Sequence, residues 1–559
     1  MIPSSQGLEQ RALHTIDTAI RDENRKRYEG ELKVVAGMKT DSDGNVCALI
    51  LPRANFNGSV EADWHLDNLE GHKREGTLTT SVQGDQWLVS KGIEPFRSIA
   101  LEAITRGSFN ITIFSYNYSS AYQKAKGAML QAIEEQKSAP TILGHLLRHS
   151  ACSFPPFTSA FLPNNIDCLN EDQNQAFRKL LRGRVALVQG FPGSGKTTVI
   201  KEIISACYRH HKVLLVSETN DACEDLVTKL VKKGVSPVWC RAGGREPPSD
   251  PSLLKFLAEH ISSHHGVEVQ YILETTWVLV ATTHMATTNS AIRNRLNDFL
   301  FIDEAGMIPS YRWPALQRIR SNCLFISGDH IQQQPYMEKE GEFTKLVGSH
   351  PDLLTQLRTQ YRMPPRLAIL SNTMAYGTMK NHIEINCPLP SNLPRQLTHH
   401  LITINTPGDM YGGVEMSDTS YFNILQVNTS LALLKICGPL YGLENIQVLT
   451  PYEGQIVQLT MAMMSYSPPA PPPRSIIRAQ GKEYPVVILN LVQTGSPESF
   501  TGNLNIMNVA VSRAQQQLFI LADVQSLLRT PIWKRLQSLI KKNIVHCVDV
   551  IKLALKENI

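Results

Sequence analysis

The chain has 559 residues, 42% hydrophobic and 19% charged, a balance that excludes an intrinsically disordered chain and fits three or four folded domains of about 150 residues each. A net charge of +5 is mildly basic, which permits a polyanionic partner without requiring one. Ten scattered cysteines, with no Cys-x-x-Cys pair and no paired Cys/His spacing, exclude a disulfide framework and a zinc module as expectations and fit a reducing compartment.

Met1 to Arg27 mixes acids, bases and polar residues where a secretory leader carries an apolar core, and no apolar run reaches bilayer length. The expected location is cytoplasmic or nuclear, with no membrane partner. Residues 7–28 read as helix. The texture then changes to short β-prone runs separated by Gly, Asn and Asp: Leu32–Ala36, Cys47–Leu51, Gln86–Ser90 and Phe109–Phe114. A small antiparallel barrel or sandwich is expected here, and Ala121–Lys137 returns to helix, so the β module sits between helical arms. Pro155-Pro156 and Pro163-Asn164-Asn165 mark the passage to the next domain.

From Leu169 strands and helices alternate, the signature of a parallel sheet covered on both faces. The expected strands are Val185–Gln189, Val213–Ser217, Trp277–Ala281, Phe299–Asp303 and Cys323–Ser327, each ending in polar or small residues. Ligands of open α/β sheets bind beyond such carboxyl ends. Between Val235 and Tyr271 the alternation lapses, which suggests a partly helical surface insertion. A second alternating block starts near Leu357, with strands at Leu401–Asn405, Ile446–Thr450, Val486–Leu491 and Gln517–Asp523 and helices at Tyr421–Cys437 and Gly454–Met464. The proline run Ser467–Arg474 inside it reads as a solvated loop in preference to a polyproline ligand. These shifts divide the chain into residues 1–165, 166–355 and 356–559.

The first strand of the alternating region runs into Gly190-Phe191-Pro192-Gly193-Ser194-Gly195-Lys196-Thr197, followed by Thr198 and an amphipathic helix. Glycines let successive N–H groups turn inward around a polyphosphate, the helix N-terminus adds partial positive charge, Lys196 reaches the outer phosphates and Thr197 is placed for Mg²⁺. Phe299–Ile302 then ends in Asp303-Glu304, where one carboxylate can face the metal and the other orient the attacking water. The next strand ends in Gly328-Asp329-His330-Ile331-Gln332, a polar cluster suited to sensing a terminal phosphate. Arg362 and Arg513, both in the second block, are the candidates for stabilising charge on a transferring phosphoryl group. Only the first block has a P-loop, so two α/β domains sharing one nucleotide are expected. The histidine pairs His210-His211, His264-His265 and His399-His400 lack partners at ligand spacing and read as surface residues.

In order, Leu169-Asn170-Glu171-Asp172-Gln173, the P-loop, Ser217-Glu218-Thr219-Asn220, Asp303-Glu304-Ala305-Gly306, Gly328-Asp329-His330-Ile331-Gln332, Gln360-Tyr361-Arg362-Met363, Thr450-Pro451-Tyr452, Gln480-Gly481-Lys482-Glu483 and Val511-Ser512-Arg513-Ala514 resemble the motifs of superfamily 1 helicases. The branch they resemble contains the nonsense-mediated-decay RNA helicase and its relatives. The resemblance implies an α/β fold of two tandem RecA-like P-loop domains with an N-terminal β-rich, barrel-like accessory domain on helical arms. It implies ATP and Mg²⁺, with Gln173 on the adenine edge, Tyr361 stacked on the ring, Glu304 as catalytic base, Gln332 on the terminal phosphate and Glu483 near the ribose. Thr219, Asn220, Thr282, Thr283, Thr450 and Pro451 match segments that line the nucleic-acid path. The implied activity is 5′-to-3′ translocation on single-stranded nucleic acid, RNA before DNA, with protein regulators as further partners. A DNA helicase of the same branch and an ATP-switched RNA clamp stay open as alternatives. Gly306 and Gln493 depart from the family pattern, which implies looser coupling and one missing electrostatic contact, and the decay helicase's zinc-rich module is absent.

Overall fold

The computed structural model describes residues 12–13, 15–16, 32–40, 46–52, 61–66, 75–83, 86–89, 109–116, 119–136, 141–148 and 154–556. The last span is broken at 243–247, 249, 333, 336–337, 339, 384, 386, 409–410, 416–417, 465–469 and 493–498. The helix expected over 7–28 lies outside these residues except at 12–13 and 15–16, and Gln493 and Ser467–Pro469 lie outside them too.

Six antiparallel strands form the N-terminal β region: β1 (Leu32–Thr40), β2 (Val46–Pro52), β3 (Glu61–Leu66), β4 (Glu75–Gln83), β5 (Gln86–Val89) and β6 (Phe109–Tyr116). They close into a barrel in the order β1-β2-β5-β4-β3-β6, with β1 paired back to β6 through Leu32↔Ile113 and Val34↔Ile111. Closure leaves no unpaired edge, which is how an all-antiparallel sheet this small avoids templating other chains. The barrel belongs to a compact unit of residues 9–131. Two strands had no counterpart in the sequence reading. Glu61-Ala62-Asp63-Trp64-His65-Leu66 carries two acids, and Glu75–Gln83 is threonine-rich, so neither shows an apolar run.

The other unit, residues 1–8 and 132–559, is built on two parallel sheets. The first contains β7 (Val185–Gly190), β8 (Val213–Ser217), β9 (Val238–Cys240), β10 (Val278–Thr282), β11 (Leu296–Ile302), β12 (Arg320–Gly328) and β13 (Leu354–Leu357), in the order β13-β7-β12-β11-β8-β10-β9. Their continuous apolar runs reflect burial on both faces. In β7, Val185 and Leu187 enter one hydrophobic cluster while Ala186 and Val188 enter the cluster on the opposite face.

Two features differ from expectation. The segment 235–271 is not wholly a surface insertion: Val238-Trp239-Cys240 adds β9 to the sheet edge beside β10, and Trp239, Leu253 and Ala258 are buried. A three-residue strand is too short to show periodicity. The boundary placed at residue 355 falls inside β13, which pairs with β7 through Leu354↔Leu187.

Beyond it, β14 (Thr359–Gln360) pairs with β15 (Lys380–Asn381). The second sheet contains β16 (Leu401–Asn405), β19 (Ile446–Thr450), β20 (Arg474–Ser475), β21 (Tyr484–Asn490), β22 (Ala514–Ala522) and β23 (Ile544–His546), in the order β20-β19-β21-β22-β16-β23. The hairpin β17 (Tyr411–Glu415) and β18 (Asp418–Phe422) precedes the helix Ile424–Tyr441. Alternation again splits the core: Val487 and Leu489 of β21 face one cluster, Val486 and Ile488 the other.

A neutral polar network is buried beneath the carboxyl ends of β19 and β21. Asn490 accepts from Gln455 Nε2 and donates to Ser430 Oγ, both at 3.0 Å, and Gln455 Oε1 accepts the Asn423 N–H at 2.7 Å. Gln426 donates to Thr406 Oγ1 and accepts the N–H of Val492, a β-branched residue held at φ +49. Such a backbone angle costs energy and persists only where its surroundings over-determine it. Replacing Asn490 by Ala strands several buried partners, so an unfolding loss of about 1–3 kcal/mol is expected. Urea denaturation followed by tryptophan fluorescence measures it, and an unchanged midpoint would show the network to be dispensable.

Candidate nucleotide site

The loop between β7 and the helix Lys196–Cys207 is shaped by glycines where side chains would not fit. Gly193 and Gly195 have φ +74 and +84, a region favouring glycine. A Cβ on Gly190 would lie 2.3 Å from Ser194 Oγ and 2.8 Å from Lys196 Cγ. Ser194 Oγ is buried without a hydrogen-bond partner, and Lys196 Nζ donates to the Gly190 carbonyl at 3.0 Å across the loop. A narrow turn carrying an orphaned hydroxyl and a buried ammonium is a cradle for phosphate oxygens.

Above it lies a cleft of about 470 Å³ lined by Gln173, Pro192, Gly193, Thr198, Glu304, Gln332, Tyr361, Arg362, Glu483 and Arg513, among others. Residues from both sheets therefore meet over one P-loop. Thr197 Oγ1 donates to Asp303 Oδ2 at 3.1 Å, and Ser327 Oγ donates to Asp303 Oδ1 at 2.6 Å. Burial, then the charge of Glu304, raise the Asp303 carboxyl above its usual range, against Ser327 and Lys196. A buried acid without a full countercharge beside a threonine hydroxyl suits a divalent cation, which would restore its charged form. Glu304 has φ +51, strain at the residue read as catalytic base.

The loops after β11 and β12 press together. A Cβ on Gly306 would lie 3.0 Å from the Asp329 carbonyl oxygen, and one on Gly328 would lie 3.0 Å from the Gly306 nitrogen and 2.7 Å from Phe343 Cε1. Gly306 thus permits a backbone contact between the acidic loop and the sensor loop, a steric role that the sequence departure alone did not reveal. Gln332 is buried, donating to Asp329 Oδ2 at 2.7 Å and accepting from Arg513 Nη2 at 3.0 Å.

The second sheet contributes from the amino ends of its strands. Glu483 directly precedes β21 and Arg513 directly precedes β22. Arg513 also donates to the Val509 and Lys482 carbonyls at 3.1 and 3.0 Å, and burial, then the like charge of Arg362, pull its guanidinium down to about 10. Arg362 forms an ion pair with Glu483 and donates to the Ser512 carbonyl at 2.9 Å. Burial by itself would raise the Glu483 carboxyl, but Arg362's charge and hydrogen bond, with Lys229 and Gln515, outweigh it and hold the group at about 2. Contact with the P-loop is close: the Tyr361 N–H donates to the Gly193 carbonyl at 2.8 Å, and a Cβ on Gly193 would lie 2.5 Å from Arg362 Cβ.

Gln173 and Tyr361 border the same cleft. Gln173 Oε1 accepts the Asn170 N–H in a capping box and its Nε2 donates to the Ser194 carbonyl at 3.1 Å, which leaves one amide hydrogen for a base edge. Tyr361 is 39% exposed, its hydroxyl takes a hydrogen bond from Asn170, and its ring sits 4.7 Å from that of His382. Sequence reasoning did not single out Cys168, Lys229 and Gln515 as cleft residues, nor the buried contacts of Asp329 with Tyr376. Asp329 and Asn170 stood inside quoted motifs; Tyr376 carried no signal of its own.

The nucleic-acid candidates fall into two groups. Thr219 is exposed and caps its helix, Asn220 is half-buried and bonded to Ala242, and Pro451 is half-buried. The side chains of Thr282, Thr283 and Thr450 are buried. Thr282 caps its helix at Met285, Thr283 donates to Glu218, and Thr450 Oγ1 accepts the Tyr452 N–H, so these hydroxyls face internal partners and not an open groove. Among the described residues, no group of three or more His, Cys, Asp and Glu side chains could hold a metal ion, and no helix is long and apolar enough to cross a membrane.

The fold and cleft define a P-loop nucleotide-binding protein with two α/β lobes. Two family models, each described as "AAA domain", match residues 168–269 and 339–525. The chain is 27% identical over 422 residues to the chicken "DNA replication ATP-dependent helicase/nuclease DNA2", a match covering 70% of this chain and 40% of that protein. It is 26% identical over 485 residues to "Regulator of nonsense transcripts 1" of Dictyostelium discoideum, covering 74% of this chain and 36% of that one. A solved arterivirus nonstructural protein 10 helicase in complex with DNA covers 93% of this chain and is covered to 81%, at 14% identity and a TM-score of 0.41. This chain belongs to the superfamily 1 helicase family, in its DNA2/NAM7-like branch. It spans two fifths or less of the length of these two relatives.

The Arg362–Glu483 pair has a defined pH window. Because the Glu483 carboxyl is depressed from 4.5 to about 2, its stabilisation is fully present above pH 4.5 and is lost as the pH falls towards 2. The melting temperature of Glu483→Gln should lie below that of the parent at pH 6, with the gap narrowing below pH 4.5. A gap independent of pH would separate Glu483's stabilising role from its charge.

Proposed function

We propose that this chain is an ATP-driven motor that moves 5′ to 3′ along single-stranded nucleic acid, RNA in preference to DNA, and so separates duplexes or remodels ribonucleoprotein. The observation that carries the reading is a cleft in which Lys196, Glu304 and Thr197, the last backed by Asp303, lie on one side with Arg362 and Arg513 from the other lobe. That division of labour makes hydrolysis depend on how the lobes are docked, which is what converts chemistry into movement.

In this reading Gln173 and Tyr361 hold adenine, the P-loop N–H groups and Lys196 hold the phosphates, and Thr197 and Asp303 hold Mg²⁺. The bound metal supplies charge neutralisation at the phosphoryl oxygens. Glu304 takes the proton of the attacking water, and Arg362 and Arg513 stabilise the charge that develops. Arg362 is now engaged by Glu483 and Ser512, and Arg513 by Gln332. Exchange of these internal partners for phosphate oxygens is the closing stroke.

The strand would run past the carboxyl ends of both sheets, over Thr219, Asn220 and Pro451 and the backbone at Thr282, Thr283 and Thr450. There Tyr421 (37% exposed) and Phe500 (45% exposed) flank buried Tyr452, at ring separations of 5.8 and 5.3 Å, offering faces on which unpaired bases stack. The segment 235–271 would tune this grip. The names of the DNA2 relatives favour the second reading, a motor on DNA.

Steady-state ATPase assays with matched single-stranded RNA and DNA, followed by unwinding of 5′- and 3′-tailed duplexes, test the proposal. Strand-stimulated turnover, greater with RNA and with 5′ tails, is expected; no stimulation by either polymer would exclude a motor. Glu304→Gln should keep ATP affinity while turnover drops by about 10²- to 10⁴-fold, the usual contribution of a general base. Phe500→Ala should weaken single-strand binding by about 1–3 kcal/mol, read by fluorescence anisotropy, whereas a strand without bases should bind both proteins equally.

A further inference from the structure

We infer that Tyr376 is a positioning residue for the phosphate sensor: reaching from the second lobe, it holds the Asp329 carboxylate that dictates which way round the Gln332 amide faces. The inference rests on the proposed hydrolysis at this cleft and adds a residue that no motif assigned.

The chemistry of donors and acceptors fixes the geometry. Asp329 Oδ2 meets Gln332 Nε2 at 2.7 Å, and Gln332 Oε1 meets Arg513 Nη2 at 3.0 Å. A carboxylate only accepts and a guanidinium only donates, so both contacts demand the same amide orientation. That orientation leaves one Nε2 hydrogen for a phosphate oxygen and ties Oε1 to Arg513. Reversed, Gln332 would turn its carbonyl oxygen on a carboxylate.

Asp329 is buried and its Oδ2 also accepts from the Tyr376 hydroxyl. Asn508 Nδ2 donates to that hydroxyl at 2.7 Å and to the Ile331 carbonyl at 3.2 Å, which commits the phenolic proton to Asp329. Burial, then the Asp329 charge, push the phenol well above its usual range, so the proton stays. Tyr376 closes a π-helical turn, Asn372–Tyr376, ended by Gly377 at φ +74, and its ring lies 4.6 Å from that of Phe191 in the P-loop. Single π turns recur at functional sites because they displace one side chain from the helical path. The sensor is thus correctly faced only while the second lobe is docked.

Tyr376→Phe keeps the ring and removes the hydroxyl. Its kcat for strand-stimulated ATP hydrolysis should fall about tenfold or more, the scale of a lost hydrogen bond to a buried charge, while affinity for a non-hydrolysable ATP analogue stays within about twofold. In a Gln332→Ala background the same change should cost less than about twofold, because its route to the reaction is already cut. Asp329→Asn, which no longer dictates the amide edge, should show the same split between turnover and affinity. Equal losses in both backgrounds, or analogue binding lost in step with turnover, would overturn the inference and leave Tyr376 a packing residue. Absence of ATP turnover in the unmodified chain would instead remove the hydrolysis reading and this inference with it.

Discussion

The seam between the P-loop and the second lobe governs the rest of the molecule. Phe191, two residues before the Gly193 whose carbonyl takes the Tyr361 N–H, packs into the hydrophobic cluster of the second sheet along with Met363 and Leu367. A loop that must conform to phosphate is thereby also part of another lobe's core. Arg362 follows one residue after the Tyr361 contact, so its place at the cleft is set by the P-loop itself. Any ligand that reshapes Gly190–Lys196 acts on both lobes without an intermediary.

Polar groups along this seam are held largely by one another. Arg362 holds Glu483, Arg513 holds Gln332, and Gln332 holds Asp329. Leaving any of these groups buried and unpaired is costly, so a change at one demands a replacement partner at the next. Two cationic forks in one pocket would repel each other; Glu483 and the surrounding carbonyls make their approach tolerable. The same neutralisation keeps the guanidinium groups at the cleft.

Much of the nucleotide cleft was legible in the sequence because its chemistry needs specific residue types at fixed spacing. The glycine turn before Lys196, the acids after β11 and the arginine before β22 each announce themselves locally. Parallel strands buried on both faces were equally readable as apolar runs. What escaped was set by tertiary pairing: β9 and β13 are three and four residues long, and β3 and β4 form strands through closure of a barrel despite acidic or threonine-rich composition. Tyr376 was silent since one tyrosine after a helix looks like core, and only its meeting with Asp329 gives it meaning. The threonines at 282, 283 and 450 show the converse, for a hydroxyl at a strand end can be spent on a helix cap or a neighbouring side chain.

The second sheet keeps its two working ends apart. Glu483 and Arg513 stand where β21 and β22 begin, while Pro451, strained Val492 and the exposed aromatic rings lie past the ends of β19 and β21. The seven residues of β21 span ~23 Å between these two ends. With its middle packed on both faces, β21 is stiff, so a shift imposed where it begins would be carried to where it ends.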